Sequence, residues 1–144
     1  MIIKSIAHLL NERGLISVAP QETVKAACAL LTAHDIGALA VVDNGKLVGV
    51  LSERDVIRRC ISGDRKTAET QVAEVMTQAP VTVQRDASLA DAQTKMFEGG
   101  FRHLPVVDEA GRAIGMLSMR DIPTEYRLMV ERFREYRGVD AASL

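Results

Sequence analysis

Two kinds of hydrophobic pattern alternate along this chain. Leu39 to Val42 and Leu104 to Val107 are short, continuous apolar runs, each ending at an aspartate and followed by a glycine-containing turn. Runs of that length bounded by turn residues are expected of strands covered on both faces. Ahead of each lies a helical pattern. Val24, Ala27, Cys28 and Leu31 recur at i, i+3, i+4 and i+7, and Leu89, Ala92 and Met96 form the corresponding stripe in the second half. Thr23 is placed to cap the first of these helices, and Ser88 the second, where Asp91 completes an SxxD capping arrangement. Short β-branched stretches, Ile16 to Val18 and Val81 to Val83, precede the helices. Each half therefore predicts the order β-α-β-β-α.

The two halves are copies. Ile16 to Asp43 overlays Val81 to Asp108 without a gap, and Gly45 to Val56 overlays Gly111 to Ile122 after one inserted turn residue. Hairpins are expected at Asn44-Gly45 and Glu109-Ala110-Gly111. One half alone leaves apolar strand surface uncovered, so the halves should pack together about a pseudo-two-fold axis. The predicted organisation is an N-terminal helix over 1–14, a first repeat over 15–63, a linker with a short helix over 64–79, a second repeat core over 80–123, and a C-terminal helix and tail over 124–144. The first helix should run near Ile3 to Leu10. In the last, Tyr126, Met129, Val130, Phe133 and Tyr136 make a packing face.

The strongest chemical signal is the motif that closes each hairpin, Ser52-Glu53-Arg54-Asp55 and Ser118-Met119-Arg120-Asp121. Each should leave a strand and open a helix, whose first free N–H groups and dipole favour an anion. The aspartate can accept two hydrogen bonds at once, as the adjacent hydroxyls of a ribose require, and the arginine can pair with phosphate. SxxD is also an ordinary capping box. Two copies at equivalent repeat positions, both with arginine, favour ligand contact with capping as a simultaneous role.

Composition narrows the field. With 18 basic and 19 acidic residues and a formal charge of −1, the 144-residue chain lacks the basic footprint of a nucleic-acid coat. At 3% aromatic content it has few stacking platforms. Neither nucleic acid nor a membrane is an expected partner. The amino-terminal stretch reads as no export signal, so a soluble, cytoplasmic protein is expected. His8, His34 and His103 lack metal-ligand spacing, so no metal site is expected. Cys28 and Cys60 form no CxxC pair and read as packing residues. No nucleophile elbow, Walker loop or dinucleotide fingerprint occurs, so no catalytic residues are assigned.

IGALAVVD with GKLVGVLSERD, and FRHLPVVD with GRAIGMLSMRD, resemble a tandem pair of cystathionine-β-synthase (CBS) domains, the Bateman module, in a free-standing form. The resemblance implies an α/β fold of two pseudo-symmetric repeats with flanking helices. It also implies two clefts binding adenosine-containing ligands: AMP, ADP, ATP, NAD or S-adenosylmethionine, with magnesium only if the nucleotide carries it. By resemblance, Asp55 and Asp121 hold ribose. Ser52, Arg54, Arg102, His103, Ser118 and Arg120 attend phosphate. Val18, Ile36 and Leu39, or Val83, Phe101 and Pro105, flank adenine. The first repeat has Gly37 and Ala38 where the second has Arg102 and His103, so the clefts should grip phosphate unequally. The resemblance further implies a non-catalytic regulatory module with an energy-sensing role, a homodimer and an unidentified target protein. A ligand-free interaction module, in which SxxD only caps helices, and a nucleotide-dependent enzyme are the alternatives.

Overall fold

A computed structural model describes residues 5–10 and 13–143, with side chains as far as Tyr136. The first repeat contains β1 (Ser17–Val18), α2 (Val24–His34), β2 (Ala38–Asp43) and β3 (Lys46–Ser52), preceded by α1 (Ile6–Leu10). A one-turn α3 (Glu53–Asp55) runs on as a π-helix over Val56–Ile61. The joint carries α4 (Val72–Val75) and β4 (Thr77–Gln78). The second repeat contains β5 (Val83–Gln84), α5 (Leu89–Gly99), β6 (His103–Val107) and β7 (Ala113–Ser118), then a 3-10 turn at Met119–Asp121 and α6 (Thr124–Ser143). The predicted Ile3 end of the first helix lies outside the described residues.

Local chemistry explains the elements. Thr23 Oγ1 accepts from Ala26 N at 3.1 Å, and Ser88 Oγ from Asp91 N at 3.0 Å, so both crossover helices begin on the predicted caps. Val24, Ala27 and Leu31 of α2, and Leu89, Ala92 and Met96 of α5, are buried. Asn44 and Gly45 both take positive φ between β2 and β3, as a tight two-residue hairpin requires.

The repeats have matching topology. β1 pairs parallel with β2, setting Val18 opposite Val41, and β5 pairs parallel with β6, setting Val83 opposite Val106. Both hairpins then run antiparallel and shift register at the same place, between Val41 and Val42 and between Val106 and Val107. The first sheet gains a fourth strand because β4 adds to the edge of β3. Each repeat has its own apolar core, and β2 packs against β7 between them.

Two equivalent glycines let the flanking segments cross the hairpins. A Cβ on Gly49 would lie 2.8 Å from the Thr77 carbonyl oxygen, and one on Gly115 would lie 2.9 Å from Leu10 Cδ1. The chain before the second repeat thus presses on β3, while α1, which precedes the first, presses on β7.

The second helices of the repeats differ. Pro123 follows the SxRD segment of the second repeat, and its ring cannot sit inside a continuing helix, so the chain makes only a 3-10 turn before α6 begins. Tyr126 is buried and Val130 half-buried against the second core, while Gln93 Nε2 donates to Arg127 O at 2.9 Å. Met129, Phe133 and Tyr136 of the predicted packing face are exposed. Among the described residues, no helix is long and apolar enough to cross a membrane.

Candidate ligand-binding clefts

Both SxRD segments are caps. Ser52 ends β3 in extended conformation; its Oγ accepts from Asp55 N at 3.1 Å, and Asp55 Oδ2 accepts from Ser52 N at 3.0 Å. At the second copy Ser118 Oγ accepts from Arg120 N at 3.2 Å, and Asp121 Oδ2 from Ser118 N at 2.8 Å. The following residues are tied to the start of the facing strand, Glu53 N to Gly37 O at 3.0 Å and Met119 N to Arg102 O at 2.9 Å. Capping engages one oxygen of each carboxylate. A carboxylate offers about four lone-pair sites, so capping by itself does not use up either aspartate.

Each aspartate lines a cavity. The smaller, about 370 Å³, contains Ser52, Arg54 and Asp55 from the first repeat with Phe101 and Pro105 from the second. The larger, about 680 Å³, contains Ser118, Arg120 and Asp121 from the second repeat with Ile36 from the first. Both volumes fall within the roughly 300–1,000 Å³ of small-molecule sites. The motif of one repeat therefore faces the apolar wall of the other. Val81 lines the smaller cavity and its repeat counterpart, Ile16, lines the larger.

Arg102, His103, Gly37 and Glu53 line both cavities and form the ground between them. The second repeat thus supplies this basic pair to both sides, while Gly37 leaves room for it. His103 has its pKa lowered, first by burial; Arg102 and Arg120 reinforce the shift, while Glu53 and Asp121 oppose it. A neutral imidazole between two guanidinium-bearing walls is suited to an anion, which would favour its protonation.

Three residues expected beside adenine lie elsewhere. Val18, Leu39 and Val83 are 6%, 0% and 1% exposed, belong to the two cores, and line neither cavity. For Leu39 the cause is strand alternation: Leu39 and Val41 face the first core, while neighbouring Ala38 faces the larger cavity.

Sequence reasoning missed the two side chains that hydrogen-bond these carboxylates, Thr77 and Arg13. Thr77 Oγ1 donates to Asp55 at 3.2 Å from Oδ1 and 3.3 Å from Oδ2, with Arg59 Nε 3.8 Å from Oδ1. Arg13 forms a forked pair with Asp121. Both lie just before the point where the repeat alignment starts, at Ile16 and Val81, so self-similarity carried no signal for them. Their closeness to the first strand of each repeat was the clue available.

Cys28 and Cys60 are separated in sequence but share the first core, Cys60 fully buried and both thiols free. Burial pushes the Cys28 thiol up, and neighbouring Cys60 adds to the shift.

Comparison with known proteins fits this geometry. The CBS domain family model matches residues 6–62 and 72–125. The CBS domain-containing protein YhcV of Bacillus subtilis is 34% identical over 106 residues, covering 74% of each chain. An uncharacterized protein of Methanopyrus kandleri, MK0525, is 31% identical over 111 residues, 76% of this chain. The chain spans 57% of that relative's length. The CBS domain pair of protein MJ0100, solved in complex with 5′-methylthioadenosine and S-adenosyl-L-methionine, superposes with a TM-score of 0.70 at 26% identity, covering 76% of this chain and 89% of that one. Two family matches in series, on two topologically equivalent repeats, establish that the chain belongs to the CBS-domain family as a tandem CBS pair.

Proposed function

We propose that the chain is a non-catalytic regulatory module that binds adenosine-containing ligands in its two inter-repeat clefts and passes their occupancy to a target protein. The observation that carries this reading is the placement of Asp55 and Asp121, each at the mouth of an SxRD cap and each on a cavity wall made by both repeats. The MJ0100 pair, with its two adenosyl ligands, supports the ligand class. In this reading the aspartates hold ribose. Ser52, Arg54, Ser118 and Arg120, with the shared Arg102 and His103, attend phosphate. Adenine rests against Phe101 and Pro105 in the smaller cleft and Ile36 in the larger.

Because each cleft is built from both repeats, a bound ligand contacts both halves. It can shift their arrangement only through differential affinity for two arrangements. AMP, ADP, ATP, NAD and S-adenosylmethionine share the adenosyl group these residues would hold. An energy-sensing role in the cytoplasm and a homodimer seated on the exposed side of α6 complete the proposal. Leu128, Met129 and Tyr136 there leave apolar surface in solvent.

Calorimetry with AMP, ATP, NAD and S-adenosylmethionine tests the reading, together with mass spectrometry of any ligand retained through native purification. Submillimolar binding of at least one is expected. If none binds below millimolar concentration, the SxRD segments are caps alone and the protein is a structural interaction module. Sedimentation equilibrium tests the dimer.

A further inference from the structure

The carboxylates of the two SxRD segments are held by chemically different neighbours. Arg13, between α1 and β1, donates from Nη1 to Asp121 Oδ1 at 2.9 Å and from Nη2 to Oδ2 at 3.1 Å; Nη2 also donates to Leu9 O at 2.9 Å. With Ser118 N on Oδ2 as well, both oxygens of Asp121 are engaged, and they are engaged by a cation. Asp55 meets a neutral hydroxyl, Thr77, and its nearest guanidinium nitrogen, Arg59 Nε, stands at 3.8 Å. The Arg13 side chain is half exposed and lines the larger cavity along with Arg102, Arg120 and His103.

We infer that Arg13 is a specificity-determining residue that reserves the Asp121 cleft for phosphorylated ligands. A nucleoside without phosphate reaches Asp121 only by breaking the forked pair, and it offers the guanidinium nothing in return. A phosphorylated nucleoside does, because the planar fork of arginine matches phosphate oxygens as well as it matches a carboxylate. The guanidinium then exchanges one anion for another, and the freed carboxylate takes the sugar hydroxyls. The Asp55 cleft carries no such condition, so it accepts adenosine and ATP alike. This inference rests on the nucleotide-binding reading above and adds to it a rule for which ligand fills which cleft.

The test is calorimetry with adenosine and with ATP on four proteins: wild type, Arg13→Gln, Asp55→Asn, and the double variant. Asn at position 55 keeps a side-chain oxygen to accept from Ser52 N, and thermal unfolding checks that each variant is folded. In wild type, adenosine should titrate one site and ATP two. In Asp55→Asn, which isolates the Asp121 cleft, ATP should still bind, and adenosine should bind about tenfold or more weaker than it does to wild type. Adding Arg13→Gln should move the two ligands in opposite directions, strengthening adenosine and weakening ATP. Should Asp55→Asn fail to fold, the single Arg13→Gln variant still decides, because adenosine stoichiometry should rise from one to two. Two equal adenosine sites in wild type, or an adenosine stoichiometry indifferent to Arg13→Gln, would reduce Arg13 to a structural tie while leaving nucleotide binding intact. Wild type that binds neither ligand overturns the nucleotide reading, and this inference with it.

Discussion

The imidazole of His103 packs against Gly37 on the side where a side chain would project. A Cβ built on Gly37 would lie 3.1 Å from His103 Cε1 and 3.2 Å from Nε2. The pair joins the two repeats at the ground shared by both cavities, so the small residue of one repeat is the condition for the basic residue of the other. Gly37→Ala is expected to push the imidazole aside and destabilise the fold by about 1 kcal/mol, as mild overpacking does. It should weaken phosphorylated ligands more than adenosine. Urea unfolding and calorimetry measure the two effects, and an unchanged ATP affinity would contradict the role given to His103.

Proton linkage at His103 has a definite sign. Its folded pKa is lowered from the ordinary 6.5, chiefly by burial, so between the two values the unfolded chain binds more protons than the folded one. The stabilising contribution is complete above pH 6.5 and is lost as pH falls, levelling off below the folded value. Stability measured from pH 8 to pH 5 should fall less steeply for His103→Asn than for wild type. Phosphate bound beside the ring favours the charged form, so binding of AMP or ATP should take up protons near neutral pH, whereas adenosine should not. Calorimetry in buffers of different ionisation enthalpy reads this directly.

Asp55→Asn keeps the size of the side chain and removes its charge. Charge-assisted hydrogen bonds are worth about 1.5–3 kcal/mol, so adenosine affinity in the smaller cleft should fall by roughly ten- to a hundredfold. Glu69→Gln, at an exposed carboxylate away from both cavities, is the control. A comparable loss there would remove the special standing of Asp55.

Arg102→Ala removes a side chain that lines both cavities. It should lower AMP and ATP affinity in both clefts and leave adenosine close to wild type. Parallel titrations with the three ligands check this, and an equal loss for adenosine would make Arg102 a structural residue.

Much of the architecture was legible in the order of residues because the signals are local. Thr23 and Ser88 cap helices whose buried faces follow the predicted stripes, and Asn44-Gly45 turns a hairpin whose strands are the two apolar runs. Pro123 was visible as well, yet its consequence, a 3-10 turn where the first repeat continues as a π-helix, emerged only in the structure. The SxRD residues were found because they are repeated, and repetition survives in sequence whatever the halves do in space.

The sequence by itself determined that there are two like halves, what each is made of, and which repeated acidic and basic residues are the candidates for ligand contact. Tertiary structure alone decided which residues meet. It set Asp55 and Phe101 on one cavity and Asp121 and Ile36 on the other, turned Val18, Leu39 and Val83 into the cores, and brought Arg13 onto Asp121 and Thr77 onto Asp55. The physical reason is range. Caps, turns and periodicity are settled among residues a few positions apart, whereas a cleft between two repeats exists only after each has buried its own apolar face and the remaining surfaces have been pressed together.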